Sequence, residues 1–183
     1  MAKAKKAGPG SPVKNKRKKG RRLGKGEDGV AVTDFEHAVG AILKRVRVDR
    51  RWDIPYLAGY SRAGRTIYID RDVPKTFRQR KKRVRVDPFL IVHEAVEIAL
   101  LDKLDLAYQD AHHIALLAER SAVEAAGVDW DAYHRFMMEH IKRVGNKKLR
   151  RVPRRLNLTP YFDEQDLPLL HEMLPLMYGK WKK

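Results

Sequence analysis

The sequence contains no cysteine, which excludes disulfide staples and thiolate metal sites and leaves histidine and carboxylate as the ligands for any transition metal. The same absence fits a reducing, cytoplasmic setting. No apolar run approaches the roughly 20 residues of a helical membrane span, and the basic start lacks the apolar stretch of a secretory signal. A membrane partner is therefore not expected. Residues 1–26 hold neither an acidic nor an aromatic side chain. A segment of Gly, Pro, Lys and Arg buries too little apolar surface to offset its ordering entropy, and it reads as disordered.

What is present begins with charge. The formal net charge is +17 over 183 residues, unevenly spread: residues 1–26 carry eleven of the 40 Lys and Arg, and the remaining 29 bases face 23 acids. Lys16, Arg17, Lys18, Lys19, Arg21 and Arg22 are the densest run. Such a run binds nucleic acid through counterion release without reading sequence. The length supports one good core. The expected organisation is a disordered basic arm over 1–29, a folded domain over 30–145, and an extension over 146–183. That extension is too apolar for a free tail and is expected to pack on the core or on a partner.

Apolar periodicity places the elements. Thr33 and Glu36 have capping-box spacing, and Phe35, Val39, Ile42, Leu43 and Val46 follow at helical intervals, which predicts a helix over 34–47. Residues 56–61 and 66–70 flank a turn at 62–65 and read as two short strands. Residues 72–87 form a basic, proline-containing connection, either a surface loop or one helical turn. Asp87 as cap and Pro88 at the first helical position open a helix to Leu101 that is apolar nearly all round, and hence the buried centre of the domain. Two more helices are expected, over 108–126 and, capped by Asp129, to Val144. Beyond Gly145, Pro153, Pro160, Pro168 and Pro175 argue against a long regular helix. The fold class is α+β, mainly α, with a small antiparallel strand pair beside the buried helix.

Within that greasy helix the polar residues are His93, Glu94 and Glu97. Positions four apart share a face, so His93 and Glu97 converge, with Glu94 about 100° round. This is the spacing of the His-Glu-x-x-His zinc helix, in which the intervening Glu takes a proton from the metal-bound water; here Glu97 replaces the second His. A carboxylate ligates zinc, and suits manganese or iron as well. On the next helix His112 and Glu119 lie seven apart along a row of Ala111, Ala115, Ala118 and Ala122, small enough for close helix approach. Buried and unpaired, each such polar group costs roughly 1–3 kcal/mol, so these groups are expected to meet a cation, one another or water.

Val92-His-Glu-Ala-Val-Glu97, with Tyr108-Gln-Asp-Ala-His112 and Ala118-Glu119, resembles the zincin-like metallopeptidases of phages, prophages and proteobacterial genomes. The likeness spans about residues 53–144 and includes 59–70, similar to the edge strands that line the substrate cleft of compact zincins. It implies a zincin-like domain and a metal-dependent hydrolase acting on peptide or protein. His93, Glu97 and His112 would be the ligands of a divalent metal, zinc above manganese or iron. Glu94 would be the general base, and Glu119 either a fourth ligand or the carboxylate that orients His112. Tyr108 and His113 are the candidates for oxyanion stabilisation.

Competing accounts accompany these. The helix polar groups would otherwise form a His–carboxylate network that only fixes packing. His113, His134 and His140 read as packing or solvated positions. The Lys and Arg of 75–85 read as a solvated loop or, with the arm, as a phosphate-tracking surface. A non-catalytic phage-type structural protein, or a nucleic-acid-binding protein using its arm, is the alternative function.

Overall fold

A computed structural model describes residues 28–179. The basic arm, including Lys16, Arg17, Lys18, Lys19, Arg21 and Arg22, lies outside the described residues apart from its last two positions. The fold is α+β and mainly α: among the described residues there are six helices and five short strands.

The first helix, α1, runs over Asp28–Arg45, beginning before the expected capping box. Thr33 and Asp34 therefore lie inside it. The stretch Val30-Ala-Val-Thr33 holds no proline, and nothing stops the hydrogen-bond ladder from continuing past Thr33. The helix also stops two residues early, because Arg47–Asp49 leaves it to become strand β1. Strands β2 (Ala58–Tyr60) and β3 (Thr66–Ile69) form the expected antiparallel pair. Gly64 takes φ 60° in their turn, a conformation a side chain disfavours. β1 joins β3 in parallel, giving the order β1-β3-β2, with β2 at one edge.

The basic connection is neither loop nor helical turn. Thr76–Gln79 (β4) and Lys82–Arg85 (β5) form an antiparallel hairpin, closed by residues 80–81 with Arg80 at φ 53°. Its one buried anchor is Phe77, packed edge-on to Tyr133 with ring centroids 5.7 Å apart.

Helix α2 (Asp87–Leu104) is the buried centre. Ten of its residues are buried, and each Leu, Ile, Val or Phe among them contributes roughly 1.5–3 kcal/mol. Its first turn differs from the expectation. Asp87 does not cap; Val86 holds the cap position with no side-chain bond, and Asp87 pairs with Arg50. An acid in the first turn still favours the helix dipole. Helices α3 (Tyr108–Ala125) and α4 (Trp130–Gly145) follow as expected, and the Asp129 carboxylate accepts from the Ala132 amide at 2.8 Å. Ala111 and Ala115 are fully buried against Val96 and Leu100 of α2, so the alanine row is the seam between the two helices.

Beyond α4 the chain forms α5 (Thr159–Asp163) and α6 (Leu167–Tyr178). The prolines shorten these helices without abolishing them: Pro168 sits in the first turn, where no amide is needed, and Pro175 in the last. Leu156, Tyr161, Leu170, Met173 and Met177 are buried in a core shared with Ile54 and Tyr68.

Candidate metal centre

Helix α2 supplies His93, Glu94 and Glu97, and α3 supplies His112 and Glu119. The His93 Nε2 atom lies 3.2 Å from His112 Nδ1 and 3.7 Å from Glu97 Oε2, and His112 Nδ1 lies 3.0 Å from the same oxygen. These three atoms form a small triangle. Tetrahedral bonds of about 2.0–2.1 Å would put ligand atoms roughly 3.3–3.4 Å apart, so the triangle has the size of one face of such a site. The donor set is two imidazoles and one carboxylate, which catalytic zinc sites use and which also suits iron. The replacement of the second helix histidine by Glu97 is thus offset by His112 from the neighbouring helix.

Glu119 stands elsewhere than expected. It neither joins the triangle nor orients His112. Its Oε2 lies 3.0 Å from His93 Nδ1, on the opposite side of that ring, and its Oε1 accepts from the Tyr133 hydroxyl at 2.6 Å. A carboxylate holding the remote nitrogen of a ligand histidine fixes its tautomer and leaves Nε2 turned to the metal position. Tyr133 was not legible as part of this relay, since nothing in the sequence pairs it with Glu119.

Burial gives the cluster its charge logic. His93, Glu94, Glu97 and Glu119 are all buried, whereas the His112 side chain is 46% exposed, so the triangle opens to solvent past that ring. Burial alone lowers the His93 pKa, but hydrogen bonds to Glu119 and Glu97 outweigh it and raise it to about 10. Burial raises Glu97, yet bonds and charges from His112 and His93 bring it below its ordinary value. Glu94 accepts no hydrogen bond from the described residues; burial, with the Glu97 charge beside it, pushes it up to about 8. Packing three acids around two imidazoles is what drives Glu94 toward its neutral form, and a divalent cation at the triangle would let all three ionise together.

A cleft of about 210 Å³ opens over the triangle. Its walls include Ala58 to Tyr60 of the sheet edge, Tyr108 of α3, Trp130 and His134 of α4, and Asn157, Pro160 and Tyr161 from the C-terminal segment. The phenols of Tyr60 and Tyr108 are raised by burial and then by the Glu97 and Glu94 charges, so both keep their protons. Tyr56 and Leu57, just before β2, adopt φ 61° and 75°, a costly conformation for non-glycine residues that is concentrated at functional sites. It is held in place by the Tyr56 hydroxyl on Asp166, by Tyr56 stacking on Tyr161, and by the Asp70 amide on the Leu57 carbonyl.

No family model, curated protein or solved structure matches the chain. The geometry of the site stands by itself.

The other expected positions divide. His113 is exposed and outside the cleft, whereas Tyr108 lines it. His134 is exposed, lines the cleft and stacks on Trp130. His140, expected on a solvated face, is instead buried at 4% exposure, its Nδ1 2.7 Å from the Phe136 carbonyl and its Nε2 2.8 Å from Arg143. The Phe136 ring packs against it, so the helix face that carries Tyr133 and Met137 extends to His140.

Proposed function

We propose that this chain is a divalent-metal-dependent hydrolase of the metallopeptidase type, with zinc the leading metal. The observation that carries the reading is the convergence of His93 Nε2, His112 Nδ1 and Glu97 Oε2 on one point at the floor of a cleft, with Glu94 beside them. His93, His112 and Glu97 would hold the ion, and Glu119 with Tyr133 would fix the His93 ring. A bound cation would polarise a carbonyl and lower the pKa of water.

The remaining work belongs to side chains. Glu94 lines the cleft with its carboxylate unengaged and a pKa near neutrality, the condition for taking a proton from an attacking water and returning it to a leaving amine. Tyr60 and Tyr108, protonated, are donors for an oxyanion. The sheet edge supports an extended substrate. The Leu57 carbonyl and the Ser61 amide bond toward β3, so by strand alternation the amide and carbonyl of Ala58 point to the opposite edge, along the cleft. A peptide laid there would add a strand.

The test is elemental analysis of protein purified without a polyhistidine tag, followed by exposure of the metal-loaded protein to a peptide library. About one metal per chain, with cleavage, is the expected result. Metal without cleavage of any peptide would leave a non-catalytic, phage-type structural role. Absence of metal would reduce the cluster to a packing network.

A further inference from the structure

The hairpin β4–β5 carries a pattern the metal site does not use. Seven bases, Lys75, Arg78, Arg80, Lys81, Lys82, Arg83 and Arg85, stand between Lys75 and Val86 with no acid among them, and all seven are exposed. None takes part in an ion pair among the described residues, where Arg50, Arg51, Arg71, Arg120 and Lys147 each have an acidic partner. The register sorts the faces. Phe77 opposes Val84 on the side packed toward the helices, whereas Arg78 opposes Arg83, and Thr76 opposes Arg85, on the outward side.

Directly opposed residues on an antiparallel pair stand with Cβ atoms about 4.5–5.5 Å apart, and like charges there are destabilising. The fold thus accepts a repulsive Arg78–Arg83 pair that neutral residues would avoid. Protection of an open strand edge calls for charge, but not for two guanidiniums set directly against each other. Opposed guanidiniums with no internal partner are complementary to an external polyanion, and guanidinium forks suit phosphate oxygens.

We propose that this ribbon docks on the phosphate backbone of double-stranded DNA, independently of the metal site. A two-stranded ribbon is of the size the major groove admits. The ribbon's one aromatic ring, Phe77, is buried, which leaves no platform for stacking unpaired bases. Its outward face bears no large apolar side chain to enter a lipid surface.

The test compares the full chain with a triple variant, Arg78→Gln, Arg83→Gln and Arg85→Gln, in binding to a short DNA duplex as salt is varied. Residues 1–26 are the same in both, so the difference reads the ribbon alone. Each lost phosphate contact removes about 0.9 from the slope of log K against log salt, so three remove about 2.7. Between 50 and 200 mM salt the wild type should therefore lose on the order of 40-fold more affinity than the variant. A Lys-for-Arg triple variant should keep most of the slope, and it serves as the folded reference if the Gln variant proves unstable. An unchanged slope in the Gln variant overturns the proposal. So does a slope change seen with anionic phospholipid vesicles, or with an acidic protein, and absent with duplex DNA.

Discussion

His93 Nδ1 lies 3.0 Å from Glu119 Oε2, and this one contact decides which face of the imidazole is available. With Nδ1–H donating to the carboxylate, Nε2 is the nitrogen that faces His112 and Glu97, and it would become a lone-pair donor once a cation displaced its proton. Glu119→Gln is expected to weaken metal affinity about 10- to 100-fold while sparing the fold. Tyr133→Phe should have a smaller effect in the same direction, since it removes the bond that holds Glu119. Competition with a chromophoric chelator measures both; wild-type affinity in Glu119→Gln would show that the relay is idle.

Ligands and base should separate by mutation. His93→Ala and His112→Ala are each expected to abolish stoichiometric metal binding, whereas Glu94→Gln should keep the metal and reduce hydrolysis about 100- to 10,000-fold. Equal metal loss in all three would make Glu94 a ligand and remove the base from the mechanism.

Asp53 and Asp49 should both contribute to the acid limb of stability. Asp53 is fully buried, and its Oδ2 accepts from the amides of Arg150 and Arg151 at 2.7 and 2.9 Å. Burial works against its ionisation, but Lys147 and these amides prevail and hold it below its ordinary 3.8. Asp49 is lowered to about 2, first by its bond to Arg51. Because the folded-state values are depressed, the unfolded chain takes up protons first as pH falls. Their contribution is present above about pH 4 and is lost as pH falls through the folded values, toward pH 2 for Asp49. Asp53→Asn is expected to lower the melting temperature at pH 7 and to flatten its fall between pH 4 and 2. An acid limb identical to wild type would place the titrating groups elsewhere.

Met173 is fully buried among Ile54, Tyr68, Leu156 and Tyr161. Met173→Ala should cost about 2–5 kcal/mol in denaturant unfolding, the range for emptying a packed core site. A loss under about 0.5 kcal/mol would mean that α6 rests loosely on the sheet.

Much of this was readable from residues alone. The all-apolar surround of His93 marked α2 as central, and the alanine spacing on α3 marked the seam that brings His112 to Glu97. What escaped has physical causes. The hairpin was hidden because exposed arginines flank Phe77 and Val84, the inward residues whose packing is the real strand signal. β1 is three residues long and gains its identity only from pairing with β3. Asp87 resembled a cap, but Arg50 claims its carboxylate. Charge around His140 suggested water, yet its ring bonds the Phe136 carbonyl and lies flat enough on α4 to be covered. The role of Glu119 could not be read from spacing, since seven residues along α3 point equally well at either histidine ring.

The Asn157 amide donates to the Tyr60 carbonyl at 2.8 Å, and Ser61 bridges Leu156. The segment at Leu156 and Asn157 therefore occupies part of the same strand border that a bound peptide would use. On the proposed reading, a peptide pairing at Ala58 would find the next outward position, the Tyr60 carbonyl, already taken by Asn157. Shortening the protein at its C-terminus would change how long a molecule fits, as well as how firmly the chain holds together.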